Sequence, residues 1–359
     1  MQVLTPTGRA AQVVAERMAP YGLKTMPRTI HSCIYEIEPV DYSTDQLSLF
    51  ATTRELDGAG PTLYVIDESS MIGNEKRDRQ ETGYHFGSGS LLHDLLESVA
   101  LKANEEVRIL FVGDSSQLPP IGGREATPAL SALHIRQVLS ELGVESDILE
   151  AELVTVVRQG EGSLKAFVEE VRRGMEVGEH LPRKALADVR PIEAADLMGA
   201  YLGQIQHGNA PTQAIILAHG NADVYRYNAQ VRKELQRDDR AFHKGELLLI
   251  KRNVLIPDHG ELEISGVLAS LKNGTFIQVV DEPHLKRRVS IPVRGELMEL
   301  RFWSARIRVL GSDEEVTMTI LENYVSPKLW LGTSQSRSEH QSKIETAILL
   351  DFQKRMKAE

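Results

Sequence analysis

The sequence has 359 residues, of which 42% are hydrophobic and 26% are charged, and this length suits about two or three domains. These ordinary globular proportions exclude a disordered, collagen-like or disulfide-scaffold protein. The 51 acidic residues outnumber the 41 lysines and arginines, which gives a formal charge of −10. A pervasively basic nucleic-acid coat protein is therefore excluded, whereas a local basic groove on an acidic body is not.

A single cysteine, Cys33, cannot form an internal disulfide, which fits a reducing compartment. The N-terminus lacks the unbroken apolar stretch of a secretory signal, and no span reaches the ~20 apolar residues that cross a bilayer. We therefore expect a cytoplasmic protein without a membrane partner. The chain opens with an apolar triplet before Thr5, as though a strand had been entered halfway, so we expect further sequence upstream.

The first half of the chain predicts alternating helices and buried strands. Apolar residues follow helical spacing over residues 7–19 and 91–99, and two short apolar runs at 63–66 and 107–112 end at acidic or glycine residues. Strand, helix and strand in succession indicate an α/β fold whose parallel sheet is flanked by helices.

The second half predicts a soft linker at 177–209 and a second α/β domain that opens with a strand at 213–218 and a helix capped by Asn221. Residues 244–325 carry short β-rich segments with Asn273-Gly274 as a hairpin turn, which predicts a small barrel or sheet inserted into that domain. Ser338 and Gln341 have capping-box spacing at the start of a final helix.

Two motifs at predicted strand ends have the residue types of phosphate chemistry. Asp67 ends an apolar run, where it can hold a nucleotide-bound Mg²⁺, and the adjacent Glu68 can deprotonate an attacking water. Gln117 follows Gly113-Asp114, and its amide can sense a phosphate because it both donates and accepts. A strand leaving the core and a proline-rich surface turn would also produce these two patterns.

Three weaker motifs suit a nucleic-acid backbone. The segment from Thr5, Pro6 and Thr7 to Arg9 combines hydroxyls, charge and a helix N-terminus. Thr29, His31 and Ser32 form a second short polar motif, and Arg158 follows a β-branched run, from which it can reach a phosphate. Taken singly, these residues also suit a helix start, a structural histidine and a surface ion pair.

Together and in this order, the five motifs resemble motifs Ia, Ib, II, III and IV of superfamily 1 helicases of the RecD-like type, similar to the alpha subunit of exonuclease V. The matching phrases are TPTGRAA, TIHS, VIDESSM, GDSSQLPPIG and VVRQ. The resemblance implies an ATP-dependent DNA helicase built from RecA-like P-loop NTPase domains. It also implies a role in DNA recombination or DNA repair, with single-stranded DNA and other subunits of such a complex as partners.

The resemblance assigns a role to each site residue, with ATP and Mg²⁺ as cofactors. Asp67 would hold the Mg²⁺, Glu68 would activate water, Gln117 would contact the γ-phosphate, and Arg158 would stabilise its developing charge. The single strand would be lined by the two polar motifs, namely Thr5, Pro6, Thr7, Arg9, Thr29, His31 and Ser32.

By the same resemblance, residues 1–176 form the first RecA-like domain, residues 177–209 a linker, and residues 210–243 the start of a second RecA-like domain. Residues 244–325 form the β-rich insert, and residues 326–359 return to the second domain as a helical segment.

The sequence departs from this family in lacking a G-x-x-x-x-G-K-[ST] phosphate loop and motifs V and VI. We expect a fragment of the helicase that is inactive alone, because the loop provides most contacts to the β- and γ-phosphates. One alternative is a non-hydrolysing protein that binds single-stranded DNA or a partner. Another is complementation by a separate polypeptide that supplies the loop.

Overall fold

A computed structural model describes residues 1–23, 25–37, 48–54, 56, 60–75, 83–99, 106–120, 127–157, 162–178, 186, 189–206, 214–235, 242–251, 254–255, 270–271, 274–325 and 334–356. The chain divides into two compact units, Met1–Pro191 and Ile192–Glu359, which are described separately.

The first unit is a mixed α/β domain. Its described elements are β1 Gln2–Thr5, α1 Gly8–Met18, β2 Arg28–Thr29, α2 Ile30–Ile34, β3 Tyr35–Ile37, β4 Ser48–Thr53, β5 Thr62–Ile66, β6 Gly83–Phe86, α3 Leu91–Ser98, β7 Val107–Phe111, α4 Ala132–Glu141 and α5 Ser163–Val177. Four strands form a parallel sheet in the order β2-β1-β5-β7, so the predicted parallel sheet with flanking helices is confirmed.

Alternating burial along the central strand shows how this sheet is packed. Tyr64 and Ile66 are fully buried and join a core with the apolar side chains of α2 and α3. On the opposite side of the pleat, Leu63 of β5 is exposed, and Leu110 of β7, which pairs with Val65, is 50% exposed. Apolar side chains therefore remain at the surface on one face of β5 and β7.

A smaller sheet in the first unit carries a buried polar contact. Strand β4 pairs with β3 in antiparallel and with β6 in parallel fashion. The Tyr35 hydroxyl donates to Asp94 Oδ2 on α3 over 2.6 Å, and the Ser88 amide donates to both carboxylate oxygens at 3.1 and 3.2 Å. The buried carboxylate thus joins β3, α3 and the turn after β6.

The tyrosine in this contact makes the stability of the folded protein sensitive to pH in the alkaline range. Burial, and then the hydrogen bond and charge of Asp94, raise the pKa of the Tyr35 hydroxyl well above its usual range. A raised pKa means that the folded state favours the neutral phenol, so its contribution is complete below pH ~10 and disappears as the pH rises further. Burial also raises the pKa values of the Cys33 thiol and the Tyr64 hydroxyl in the same unit.

We therefore expect the free energy of unfolding to fall above pH ~10, and to fall less steeply in Tyr35→Phe, which has no proton to lose there. Urea denaturation at a series of pH values measures both slopes. Tyr21→Phe is the matched control. Because Tyr21 is exposed, this substitution should leave the slope unchanged. Equal slopes in all three proteins would contradict the assignment to Tyr35.

The second unit contains helices followed by a predominantly antiparallel β region. Its described elements are α6 Ala194–Gln206, α7 Asn221–Glu234, β8 Leu247–Leu249, β9 Val254–Leu255, β10 Ser270–Leu271, β11 Phe276–Val279, β12 His284–Val293, β13 Glu296–Val309, β14 Glu315–Leu321, α8 Glu322–Val325 and α9 Ser334–Met356. Strands β12, β13, β11 and β8 follow one another in the main sheet, and β14 also pairs with β13. The predicted sheet is present, whereas its closure into a barrel stays a prediction.

A two-residue turn sets the register of the longest strands. Arg294 and Gly295 both have positive φ, 49° and 81°, and connect Val293 directly to its partner Glu296. Positive φ at both central residues matches the twist of an antiparallel hairpin. The turn expected at Asn273-Gly274 lies partly outside the described residues, since only Gly274 is described.

The last helix packs on the hairpin. Ile344 and Ala347 are fully buried with Ile291 and Leu300 in one apolar cluster. On the same helix, Asp351 accepts two hydrogen bonds from the Arg287 guanidinium, at 2.9 and 2.6 Å. The helix is therefore held to β12 by apolar packing and by a two-pronged ion pair.

Several predicted details of this unit are wrong. Residues 214–218, predicted as a strand, pair with no described strand, and Ile215 and Leu217 are 68% and 86% exposed. Asn221 is the first helical residue of α7, whose N-cap is Gly220. Ser338 lies inside α9 instead of capping it. Helix α6 lies within residues 177–209, and the assignment of that stretch as a linker stays a prediction.

Candidate nucleotide and nucleic-acid site

The parallel sheet brings most of the predicted site residues to one edge. Strands β1, β2, β5 and β7 run in the same direction, so the residues after their carboxyl ends share this edge. Pro6 and Thr7 follow β1, Asp67 and Glu68 follow β5, and Asp114 lies three residues beyond β7. Ligands of open α/β sheets bind at such carboxyl edges.

A tight turn after β5 presents the acidic pair. The Asp67 amide donates to Leu4 O over 2.9 Å, which ties the pair to β1. Glu68 has φ 55° and ψ 38°, a left-handed conformation that costs a residue with a side chain about 1 kcal/mol. The chain thus turns abruptly at Glu68, and a 3₁₀ turn at Ser69–Met71 follows.

The loop after β7 lies directly against this turn. The Ser69 amide donates to Val112 O over 2.9 Å. A Cβ atom on Gly113 would lie 3.0 and 3.1 Å from the amide nitrogens of Ser70 and Ser69. A side chain at this position would require the two loops to move apart by a few tenths of an ångström, and glycine avoids this. The close approach of the loops brings Glu68 and Gln117 to one cleft.

Asp114 organises the loop that carries Gln117. Its carboxylate accepts from the Ser116 amide at 2.9 Å and from the Gln117 side-chain amide at 3.4 Å, and its backbone oxygen accepts from the Gln117 amide at 3.0 Å. The same carboxylate forms an ion pair with Arg172 of α5, with the closest N–O distance at 3.3 Å. Sequence reasoning missed Arg172, since an unremarkable helical arginine gives no motif.

Glu68 and Gln117 line one open cleft of about 520 Å³. The full lining is Glu68, Ser70, Met71, Ser116, Gln117, Leu118, Pro119 and Met175. The Ser70 hydroxyl is buried and has no hydrogen-bond partner among the described residues. A buried hydroxyl without a partner is costly, so this oxygen is suited to a polar ligand or water in the cleft.

The residues present fit the metal and water part of a nucleotide site. Carboxylates at Asp67 and Glu68 and the hydroxyl of Ser70 offer the hard oxygen ligands that Mg²⁺ prefers, directly or through water. Among the described residues, the lining of the cleft contains no lysine or arginine. Arg158, predicted to provide positive charge there, lies outside the described residues.

A second group of potential metal ligands lies elsewhere in the first unit. His93, Asp94 and Glu97 of α3 place ligand atoms within 4.8 Å of one another. Both Asp94 oxygens already accept hydrogen bonds from Tyr35 or Ser88. These bonds give the carboxylate a structural role that needs no metal.

The motif after β1 is held by its own hydroxyls. Thr5 is fully buried, and its hydroxyl donates to Thr7 O over 2.9 Å. The Thr7 side chain caps α1 by accepting from the Ala10 amide over 3.2 Å. Arg9 is exposed, and its guanidinium donates to Gln12 Oε1 over 3.2 Å. Thr5 therefore positions the loop, and Pro6, Thr7 and Arg9 are its more accessible members.

The second polar motif forms a compact turn around α2. The Ser32 amide donates to Thr29 Oγ1 over 3.1 Å, and the Ser32 hydroxyl donates back to Thr29 O over 2.9 Å. The His31 ring contacts the rings of Tyr35 and Phe86, at centroid distances of 5.5 and 5.2 Å. The reciprocal bonds fix the turn and hold His31 beside an aromatic cluster.

Comparison with known proteins does not assign this chain to a family or to a function. The sequence matches no protein-family model and no curated protein. Among solved structures, the chain is similar to the Pif1 helicase from Candida albicans, with 13% identity and a TM-score of 0.28, over 89% of this chain and 74% of that one. A similarity this low carries no conclusion about activity. No helix in the described part of the chain has the length and apolar character of a membrane span.

Proposed function

We propose that this chain carries part of the machinery of an ATP-dependent DNA helicase of superfamily 1, of the RecD-like type, which acts on single-stranded DNA in recombination or repair. One observation carries the proposal: the acidic turn at Asp67-Glu68 and the loop of Gln117 meet at the carboxyl edge of one parallel sheet, where Glu68 and Gln117 line the same cleft. Strand-end carboxylates beside an amide that can contact a phosphate are among the parts that nucleotide hydrolysis requires.

Each residue has a proposed role in that reaction. Bound Mg²⁺-ATP would supply the transferable phosphoryl group and neutralise its charge. Asp67 would hold the metal through its water shell, and Glu68 would orient and deprotonate the attacking water. Gln117 would contact the γ-phosphate and report its presence through Asp114, to which it is bonded. Arg158 would stabilise the developing charge.

The proposed single-strand path follows the two polar motifs at the same edge. Thr7 and Arg9, beside Pro6, would contact the backbone at the N-terminus of α1, where free amides favour an anion. Thr29, His31 and Ser32 would continue the path, and buried Thr5 would position it. Other subunits of a repair or recombination complex are proposed partners.

The missing phosphate-loop motif favours a second candidate function for the chain alone. Without G-x-x-x-x-G-K-[ST] in the sequence, a protein that binds single-stranded DNA or a partner without hydrolysing ATP would retain the two polar motifs. It would have no use for the shared cleft of Glu68 and Gln117. Nucleotide binding therefore separates the two candidates.

Titration with a fluorescent ATP analogue in Mg²⁺ is the test. We expect weak, millimolar binding, because the cleft lacks the phosphate loop. Gln117→Ala should weaken it further by about tenfold, the loss of one hydrogen bond to a charged group. Gln137→Ala is the matched control, because Gln137 is an exposed glutamine on α4. No detectable binding by the unaltered chain, or equal losses in both variants, would reject the nucleotide site and favour the second candidate.

A further inference from the structure

Two arginines from different elements converge on the turn that holds His31. Arg28 Nη2 donates to Ser32 O over 2.8 Å, and Arg54 Nη2 donates to the same oxygen over 3.2 Å. Arg54 Nε also donates to Cys33 O over 2.6 Å. Two cations therefore share the backbone oxygen of Ser32, in the short helix α2.

This pair differs from other arginines in the protein. Among the described residues, neither guanidinium forms an ion pair with a carboxylate, although the sequence has ten more acidic than basic side chains. By contrast, Arg301 pairs with Glu299 and Glu322, and Arg172 pairs with Asp114. Two guanidinium groups that lie around one oxygen repel each other, and a carbonyl dipole compensates only part of that repulsion. An anion between them would remove it.

Within the described part of the chain, the two side chains keep donors available for such an anion. A guanidinium has five N–H donors, of which Arg28 uses one and Arg54 uses two in the hydrogen bonds described above. Arg28 is exposed and Arg54 is half-buried, so solvent reaches both. Planar guanidinium groups match the oxygens of a phosphate in two-pronged fashion, which makes a phosphate group the best chemical fit.

Aromatic rings next to the arginines indicate that the phosphate belongs to a nucleic acid. His31 is the residue before Ser32, and its partly exposed ring meets the Phe86 ring edge-on at 86°. Single-stranded nucleic acids are bound where basic groups follow the backbone and rings stack on the bases. A phosphopeptide or a lipid headgroup would use the arginines but not a base-stacking ring.

We propose that Arg28 and Arg54 form a phosphodiester clamp for single-stranded nucleic acid, in which the His31 ring, packed against Phe86, contacts a neighbouring base. The clamp rests on the proposed function in that it adds two residues to the single-strand path. It does not require nucleotide hydrolysis, because none of its contacts involves the cleft of Glu68 and Gln117.

Fluorescence anisotropy with an oligo(dT) probe at a series of salt concentrations tests the clamp. For Arg28→Gln with Arg54→Gln, we expect affinity at low salt to fall by about tenfold, and the slope of log affinity against log salt to fall by about 1.4, since each lost contact to a single strand removes ~0.7. Arg136→Gln with Arg173→Gln is the matched control, because both arginines are exposed in the same unit. Its salt slope should stay close to that of the unaltered protein.

Two further variants separate recognition from folding. Arg28→Gln alone removes one bond of an exposed side chain and should lower the slope by ~0.7 with an unchanged thermal melt. Arg28→Lys with Arg54→Lys retains the charge and should restore most of the slope, as a purely structural role would not. For a nucleic-acid site, we expect inorganic phosphate to compete at high concentration. A phosphopeptide at the oligonucleotide's concentration should have no effect.

The clamp is overturned if the unaltered protein does not bind oligo(dT), if the clamp and control pairs lose the same salt slope, or if the phosphopeptide competes equally well. These outcomes are independent of the ATP-analogue titration. Loss of the nucleotide site with an intact clamp would reject the motor function alone. A nucleotide site without the expected salt slopes would reject the clamp alone.

Discussion

Gly113→Val should lower the free energy of unfolding by about 2 kcal/mol and abolish binding of the ATP analogue, because it forces apart the two loops that line the cleft. A Cβ atom alone would already lie 3.0 Å from the Ser70 amide nitrogen. The γ-methyl groups of valine extend further into backbone atoms that hydrogen bonds hold in place. Urea denaturation and the nucleotide titration measure the two effects.

Gly60→Val provides the matched control, because nothing lies within 4 Å of a Cβ at that position. Both substitutions restrict the unfolded chain in the same way, so their difference isolates the crowding in the folded protein. If both variants unfold at the same denaturant concentration and bind the analogue equally, the close approach of the loops has no energetic consequence.

Asp94→Ala should have the second large effect, and we expect it to lower the free energy of unfolding by about 3 kcal/mol. The substitution removes the acceptor of the Tyr35 hydroxyl and of the Ser88 amide. Buried donors without an acceptor each cost about 1 to 3 kcal/mol, and the lost carboxylate also leaves a small cavity. Because Tyr35 contacts the His31 ring, the variant should also loosen the aromatic cluster.

Two controls define the origin of this effect in the same denaturation experiment. Glu97→Ala removes an exposed carboxylate one turn further along α3 and should change stability by less than about 0.5 kcal/mol. Asp94→Asn retains an oxygen acceptor and should lie between alanine and the unaltered protein. A loss that is equal at positions 94 and 97 would show that helix propensity, and not the buried contact, is responsible.

The shared edge of the site was predictable from sequence because parallel strands impose it. Once residues 63–66 and 107–112 are recognised as buried parallel strands, the groups that follow each strand must meet. The prediction therefore needed only local apolar runs, which are encoded in consecutive residues. The same logic fails at residues 214–218, where an apolar run finds no strand to pair with among the described residues and leaves Leu217 exposed.

Contacts between distant elements were not predictable. Arg28 and Arg54 are 26 positions apart and meet only because β2, α2 and β4 fold together around Ser32. Arg172 reaches Asp114 from a helix 58 positions away. The hairpin at Arg294-Gly295 was overlooked for a different reason: arginine is uncommon at positive φ, so no turn signal precedes the glycine.

The left-handed backbone at Glu68 sets stability against the catalytic role proposed for this side chain. Glycine adopts that conformation without steric cost, so a library screened only for soluble expression should enrich glycine at position 68. Screening the same library for nucleotide-dependent function should retain glutamate despite its strain. The residue recovered under each selection would therefore test the role proposed for Glu68 in nucleotide hydrolysis.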